Sequence, residues 1–219
     1  MRTLIINGSP KGKNGNTEIF IEKFVTEMKT SYQICYLVKE ESKHIARYMK
    51  EFDTILIFMP LYVHAMPGIL MKLIESMEKI TDGEKGMGFI VQSGFMESDQ
   101  SKYLERYLQA LTKNLNYTYL GTVIRGGSAG TYMMPEKMNK KLFEQLRVLG
   151  EYFDKNGAFN LEIVKDMAKP SKLSKSKSLQ LEFLSKIGLG DALFWNMMLR
   201  QNKAKDKRFD KPFSTHLSE

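Results

Sequence analysis

The sequence predicts an α/β protein whose parallel strands form one doubly wound sheet. Over residues 1–160, short apolar or β-branched runs alternate with longer amphipathic segments, which is the pattern of repeated βα units. The runs TLIIN, TILIFM and GFIVQ are apolar except at their ends, as expected of strands that helices cover on both faces. Polar and glycine-containing loops follow several of these runs. Sheets of this type bind ligands at the carboxyl ends of their strands, so these loops are the predicted site.

Five strands and five helices are expected in alternation. Each strand is a short β-branched or apolar run, and the predicted strands are Thr3–Asn7, Tyr32–Val38, Thr54–Met59, Met87–Gln92 and Tyr119–Ile124. Each helix is a longer amphipathic segment, and the predicted helices are Thr17–Lys29, Ser42–Glu51, Gly68–Lys79, Gln100–Leu115 and Pro135–Asn156. No internal repeat of fixed period is apparent, which disfavours a solenoid.

Length and composition fit one domain with an appendage and disfavour several kinds of site. The chain has 219 residues, of which 42% are hydrophobic and 26% charged, so it has enough apolar material to fold. Its single cysteine, Cys35, excludes an intrachain disulfide and a four-cysteine cluster, and its setting in QICYLV favours a buried core residue. The histidines His44, His64 and His216 lack metal-ligand spacing, so no metal site is expected.

The N-terminal segment indicates a cytoplasmic protein. No run of about 18 apolar residues is present to span a bilayer. The opening MRTLIINGSP turns into a glycine loop where a secretion signal would continue as a longer apolar stretch. We therefore expect a soluble protein that stays in the cytoplasm.

Most of the positive charge lies near the C terminus. Of the net charge of +8, residues 165–219 carry +6, from 12 Lys and Arg against 6 Asp and Glu. A polar, Lys/Ser-rich stretch at 168–178 indicates a linker. Beyond it, Gly188 and Gly190 interrupt an apolar segment, which favours two short helices joined by a bend. We predict a domain at 1–164 and a basic, partly helical extension at 165–219.

The loop after the first strand has the features of a phosphate site. GSPKGKNGNT connects the strand TLIIN to a helical segment, and backbone N–H groups converge with the positive end of the helix dipole at such a junction. Ser9, Asn16 and Thr17 offer neutral donors, and Lys11 offers a charge at the rim. Because neither GxGxxG nor the Walker spacing is present, nucleotide hydrolysis and a dinucleotide site are disfavoured. The phosphate of flavin mononucleotide (FMN) is the better candidate.

The loop after the third strand offers a surface for a flat ring. Two prolines stiffen it, and apolar and aromatic groups follow the strand. Leu61, Tyr62 and the main chain through His64 can supply an apolar wall, a stacking surface and backbone amides. His64 is a weak catalytic candidate as a proton donor, since a lone histidine in a loop more often forms a pocket wall.

Two further loops fall on the same edge of the predicted sheet. Ser93 and Gly94 follow the fourth strand, and Gly127 and Ser128 lie in the glycine-rich loop after the fifth. The glycines at 126–130 also fit a different role, in which they allow unusual backbone angles and nothing else.

The motifs of these loops resemble those of a known family. GSPKGKNGNT, followed about 50 residues later by MPLYVHAMPGILMKLIE, resembles the NADPH-dependent FMN reductase and NAD(P)H:quinone oxidoreductase families of the flavodoxin-like superfamily. VQSGF, the Gly-Gly loop and the tail near RFDKPF are similar to clostridial-type NAD(P)H-dependent oxidoreductases. The resemblance implies a flavodoxin-like, five-stranded parallel sheet in the order 2-1-3-4-5, with a helical C-terminal extension.

The resemblance also implies a cofactor, a reaction and a set of binding residues. FMN would be the cofactor and NAD(P)H the donor, with a hydride passing through flavin N5 to a quinone, nitro compound, free flavin or similar small acceptor. The chemistry takes place on the cofactor, so no catalytic residue is assigned with certainty. A homodimer is expected. The residues expected to bind FMN are Ser9, Lys11, Asn16, Thr17, Pro60, Leu61, Tyr62, Val63, His64, Ser93, Gly94, Gly127 and Ser128.

Other functions are compatible with the same residues. One is a flavin-binding electron carrier, and another is a sensor or interaction protein whose basic tail binds a partner or a membrane surface. The tail favours packing on the body or on a dimer mate, with a membrane surface as the next interpretation. Nucleic acid is disfavoured because no recognition motif accompanies the charge.

Overall fold

The computed structural model describes residues 2–81, 83–188, 195, 196, 198–200 and 202–210. Its strands pair in parallel in one sheet with the order β2-β1-β3-β4-β5. The flavodoxin-like architecture and the strand order 2-1-3-4-5 are therefore confirmed. The strands are β1 (Thr3–Asn7), β2 (Tyr32–Tyr36), β3 (Thr54–Pro60), β4 (Gly86–Gln92) and β5 (Thr118–Arg125).

Helices connect the strands, and all five predicted helices are present. All five are shorter than predicted. Helix α1 ends at Val25 and α3 at Glu75, and the end predicted for α2 is a 3₁₀ turn at Met49–Glu51. The helices are α1 (Asn16–Val25), α2 (Ser42–Tyr48), α3 (Gly68–Glu75), α4 (Lys102–Asn114), α5 (Glu136–Asn156), α6 (Leu161–Met167) and α7 (Lys175–Lys186).

The end of one strand and one additional helix differ from the sequence prediction for local reasons. Strand β2 ends at Tyr36 because Leu37–Lys39 forms a 3₁₀ turn. Helix α6 was not predicted, and it begins where the Asn160 side chain accepts hydrogen bonds from the N–H groups of Glu162 and Ile163. An asparagine before a short apolar segment is the signal that could have revealed this helix.

The sheet is buried on both faces between two hydrophobic cores. One core joins α2, α3 and α4 to strand residues such as Leu4 and Ile6. The other joins α1, α5 and α6 to Ile5 and its neighbours. Successive residues of β1 therefore enter opposite cores, which explains why Leu4, Ile5 and Ile6 are all apolar and fully buried.

Helices α1 and α5 pack unusually closely on one face of the sheet. A Cβ atom built at Gly150, in the middle of α5, would lie 1.7 Å from the carbonyl oxygen of Phe24 in α1. No side chain fits between the two backbones at this point. The missing side chain at Gly150 therefore sets the position of α1, whose N terminus faces the ligand edge of the sheet.

The chain divides into two compact units, residues 1–172 and residues 173–219. The predicted boundary between residues 164 and 165 lies inside α6, whose Met167 is buried in the first unit. That residues 1–164 bind the cofactor and residues 165–219 form a separate extension stays a prediction.

Helix α7 belongs to the second unit and corrects the predicted linker. The linker was expected to extend to 178, but Ser174 caps a helix that begins at Lys175, with its Oγ accepting from the Lys177 N–H at 3.3 Å. Lysine and serine are compatible with a solvated helix once such a cap is present. Gly188 follows α7 with a φ of +69°, whereas Gly190 lies outside the described residues. None of the described helices combines the length and apolarity needed to cross a bilayer.

Candidate functional site

Four loops meet at the carboxyl edge of the sheet and line one cavity. They follow β1, β3, β4 and β5, and the cavity has a volume of about 320 Å³. Among the residues expected to bind a cofactor, Thr17, Val63, His64, Gly127 and Ser128 do not line it. Its lining residues are Ser9, Lys11, Gly15, Asn16, Pro60, Leu61, Tyr62, Gln92, Ser93, Gly94, Ala129 and Tyr132.

Side-chain hydrogen bonds fix the conformation of the loop after β1. Asn7, the last residue of β1, donates from Nδ2 to the Gly12 carbonyl at 3.3 Å and to Glu18 Oε2 at 2.9 Å. Its Oδ1 accepts from the Ser9 N–H at 3.0 Å. Ser9 Oγ in turn accepts from the Lys11 N–H at 3.2 Å. Asn7, Ser9 and Glu18 are all buried, so the conformation of this loop is fixed by the protein itself.

The N terminus of α1 is left open toward the ligand edge. Its N-cap is Gly15, which has no side chain to bond the first N–H groups of the helix. Within the described residues, no hydrogen bond engages the N–H groups of Asn16 and Thr17. Unpaired N–H groups at the positive end of a helix dipole bind anions. Because Gly15 and Asn16 line the cavity, this end of it is suited to a phosphate.

The Asn16 side chain joins the first loop to the loop after β5. Its Nδ2 donates to the carbonyl oxygens of Ser128, at 2.7 Å, and Ala129, at 3.2 Å. Its Oδ1 accepts from the Tyr132 N–H at 3.0 Å. The predicted role of this side chain as a phosphate donor is therefore replaced by a structural one, and Asn16 offers a ligand only its backbone N–H.

A buried hydrogen-bond network lies beneath the cavity floor. Gln92, at the end of β4, donates from Nε2 to Thr17 Oγ1 at 3.4 Å and accepts at Oε1 from Ser128 Oγ at 2.6 Å. Thr17 and Ser128 are each about 1% exposed. These two residues hold three loops together beneath the cavity through the side chain of Gln92.

The loop after β3 contains a tight and strained turn. Tyr62 and Ala65 exchange two backbone hydrogen bonds, at 2.8 and 2.9 Å. The residues between them have positive φ, +48° at Val63 and +63° at His64, as in a type I′ turn. A β-branched residue is disfavoured in this region, and the Val63 side chain is 88% exposed, so it gains nothing from burial.

His64 lies outside the cavity and stacks on Phe95. Their rings are 5.3 Å apart between centroids and 8° from parallel. His64 lines a neighbouring groove of about 370 Å³ between α3 and α4, together with the exposed Tyr103 and Tyr107. His64 therefore faces this groove, whereas Gly94, the residue before Phe95, lines the cavity.

The glycines of the last two loops serve close packing and backbone geometry. A Cβ atom at Gly126 would lie 2.6 Å from the Met96 carbonyl oxygen, so the loops after β4 and β5 approach each other without a side chain between them. Gly127 has a φ of +68° and donates from its N–H to the Phe95 carbonyl at 2.7 Å. Of the four small residues predicted here, Ser93 and Gly94 line the cavity.

Four lining residues were not among the predicted binding residues. They are Gly15, Gln92, Ala129 and Tyr132. Gln92 carries a usable signal, because a polar residue ending a fully buried strand must find partners at the carboxyl edge of the sheet.

Positive charge borders the first loop. Lys11 Nζ lies 5.8 Å from the centroid of the Tyr132 ring, whereas Lys13 and Lys39 lie 5.2 and 5.7 Å from that of Tyr36. Burial, reinforced by the hydrogen bond that Tyr36 donates to Glu18, raises the pKa of the Tyr36 phenol. The phenol therefore stays a donor that holds the buried Glu18 carboxylate in place.

The cysteine and the metal-ligating residue types do not form a second site in the described part of the chain. Burial raises the pKa of the Cys35 thiol to about 11, so Cys35 is a neutral core residue, as predicted. In the described part of the chain, no cluster of three or more His, Cys, Asp or Glu is placed to bind a metal ion.

Comparison with known proteins identifies the fold. No family model matches the chain, and no curated protein matches it. Solved structures do match the chain, and those described below cover 70% or 71% of it. The NADPH-quinone reductase from P. pentosaceus is 18% identical, with 71% of this chain and 99% of that chain covered and a TM-score of 0.55.

Two further structures agree with this assignment of the fold. An FMN-dependent NADH-azoreductase from Bacillus anthracis, in complex with FMN, is 15% identical, covers 70% of this chain and 100% of that chain, and has a TM-score of 0.50. The NAD(P)H:quinone oxidoreductase from Methanothermobacter marburgensis is 13% identical, covers 70% and 97%, and has a TM-score of 0.52. At identities this low, the structural matches show a shared flavodoxin-like fold and nothing more.

Proposed function

We propose that this chain is an FMN-dependent oxidoreductase that takes a hydride from NAD(P)H and delivers electrons to a small acceptor. The observation that carries this proposal is the cavity at the carboxyl edge of the sheet, with an uncapped helix N terminus at one end and apolar and aromatic walls at the other. The three matched proteins are reductases of quinone or azo compounds, which supports the same class of reaction.

The first-loop end of the cavity would hold the phosphate of FMN. The N–H group of Asn16, at the open N terminus of α1, supplies a donor, and the fixed conformation of the loop means that little order has to be gained on binding. Lys11 lines the same end and would exchange its contact with the Tyr132 ring for one with a phosphate oxygen.

The third-loop end would hold the flavin ring. Pro60 and Leu61 present buried apolar surface, and the Tyr62 ring is partly exposed beside them. Gly94 also lines the cavity, where the absence of a side chain leaves room for a flat ligand. The residue types at the two ends therefore fit an elongated molecule with a phosphate at one end and a ring at the other.

The protein would contribute binding and orientation. When bound, FMN supplies a ring that accepts a hydride from a nicotinamide and passes electrons to acceptors. We propose no catalytic role for His64, because it stacks on Phe95 and lines the groove between α3 and α4 instead of the cavity. Quinones, nitro compounds and free flavin are the proposed acceptors, and azo compounds join them through the likeness to the B. anthracis protein. The homodimer stays a prediction, which the mass of the protein in solution tests. The cytoplasmic location also stays a prediction, which cell fractionation tests.

The proposal is tested by the visible spectrum of the purified protein titrated with FMN, followed by anaerobic addition of NADPH and then NADH. We expect tight FMN binding and bleaching of the flavin bands much faster than with the same concentration of free FMN. A protein that binds no FMN would overturn the proposal. FMN that binds but is not reduced by either nucleotide would instead indicate an electron carrier or sensor.

A pair of lysine variants tests the assignment of the phosphate end. Lys11→Gln should weaken FMN binding by about tenfold, since a charge-assisted contact with phosphate is lost. Lys13→Gln is the matched control, because Lys13 lies in the same loop but contacts the Tyr36 ring and does not line the cavity. Equal affinities for the two variants, measured by fluorescence quenching of FMN, would contradict the assignment.

A further inference from the structure

Helix α7 carries a row of exposed apolar side chains. Leu179, Phe183 and Ile187 are spaced by four residues and are 65%, 64% and 49% exposed. Since an α-helix has about 3.6 residues per turn, these three side chains lie along one side of the helix. Leu184, 42% exposed, lies next to them, whereas Leu181, 41% exposed, lies on the other side. Ile187 is the C-cap of α7. No residue of α7 is buried. Large apolar side chains grouped in this way usually mark an interaction surface.

Lysines border this apolar row on both sides. By the helical spacing, Lys175 and Lys186 lie on one side of the row, and Lys177 lies on the other side beyond Leu184. Lys186 is paired with Glu182 at 2.8 Å, whereas no ion pair involves Lys175 or Lys177 within the described residues. The charge extends along the unit, because residues 173–219 hold nine Lys and Arg against five Asp and Glu, a net charge of +4.

We propose that α7 docks on the surface of an anionic lipid bilayer. A helix that lies in the membrane interface buries an apolar row at the level of the acyl chains, and lysines beside the row reach the lipid headgroups with their amines. The row of Leu179, Phe183 and Ile187 supplies the first feature, and Lys175, Lys177 and Lys186 supply the second. The negative charge of such a surface complements the positive charge of this unit.

Two other partners account for only part of these features. A nucleic acid backbone would attract the lysines but would leave the exposed apolar row without a role. A protein groove would bury the row, yet lysines on both sides of it require an acidic rim along both edges of that groove. A bilayer needs no such matched shape. The proposal stands independently of the proposed oxidoreductase function.

The proposal is tested by co-sedimentation of the full chain with vesicles. Vesicles of phosphatidylglycerol mixed with phosphatidylcholine should bind the protein at least tenfold more tightly than vesicles of phosphatidylcholine alone, and added salt should weaken this binding. Equal binding to the two kinds of vesicle, or no binding to either, would overturn the proposal.

Two sets of variants on α7 separate lipid docking from the alternatives. Leu179→Ser with Phe183→Ser should reduce binding to the anionic vesicles at least tenfold, whereas Ser178→Ala with Ser185→Ala, on the other side of the helix, should leave it unchanged. Circular dichroism and thermal unfolding check that both variants fold. If the serine variant binds as tightly as the wild type, charge alone is responsible and the apolar docking is refuted. A third outcome would also refute the proposal. If the wild type binds no vesicles but forms a dimer by light scattering, and the serine variant is a monomer, the apolar row contacts a second copy of the chain.

Discussion

The two ends of the cavity are built in different ways. At the first-loop end, the buried side chains of Asn7, Ser9 and Glu18 fold the loop and leave backbone N–H groups free for a ligand. At the third-loop end, the backbone folds back on itself between Tyr62 and Ala65, and it holds Val63 in a disfavoured conformation. The first end is therefore stabilised by its own side chains, whereas the second is held in place by the rest of the protein.

The largest expected effect concerns the packing that positions the first-loop end. Gly150→Ala should destabilise the protein by about 3 kcal/mol or more, because the new Cβ would overlap the Phe24 carbonyl oxygen of α1. This cost exceeds the gain of about 1 kcal/mol that alanine brings to a helix interior. Chemical denaturation measures the loss.

Lys140→Ala is the control for this variant, since Lys140 lies on the exposed side of the same helix. Its stability should stay within about 0.5 kcal/mol of the wild type. If Gly150→Ala behaved like this control, α1 and α5 would not be as closely packed as described.

The next effect tests whether side chains fix the first loop. Asn7→Ala removes the donor to the buried Glu18 carboxylate and the acceptor for the Ser9 N–H, so we expect a loss of about 2–3 kcal/mol in stability. FMN should bind about 10–100-fold more weakly, because the loop must then be ordered on binding. Asn14→Ala, an exposed position in the same loop, should bind FMN like the wild type. Equal FMN affinities for the two variants, measured by calorimetry, would show that the loop does not depend on Asn7.

A smaller effect of opposite sign is expected at the third-loop end. Val63→Asn should stabilise the protein by about 1 kcal/mol, because asparagine tolerates positive φ better than a β-branched residue does. The melting temperature would rise by about 2–4 °C for a chain of this size. Val63→Thr keeps the β-branch and should show no gain. A rise in both variants, or in neither, would argue against strain at this position.

The same contrast explains what could be predicted from the sequence. The strands could be predicted because runs such as TLIIN are buried on both faces, so that consecutive apolar residues mark them in the sequence. The loop after β1 was predicted because glycine and small polar residues precede a helix. The turn at Val63 was not, since a valine gives no local sign of positive φ and only the surrounding structure imposes it.

Side-chain roles inside the predicted loops were also hidden from the sequence. Asn16 was expected to face a phosphate, but it bonds to the loop after β5, which lies more than 100 residues away in the chain. Thr17 and Ser128 likewise meet through Gln92 only because β1, β4 and β5 place their carboxyl ends at one edge. Partners this distant depend on tertiary structure, which residue types in a loop do not specify.

We infer that the first-loop end of the cavity holds the cofactor by its phosphate. The measurement that tests it most directly is calorimetric titration of the protein with FMN and, in parallel, with riboflavin, which has the same ring and no phosphate. The structure predicts that FMN binds at least 100-fold more tightly than riboflavin, because only FMN engages the open N terminus of α1 and Lys11. Equal affinities for the two flavins would contradict the account.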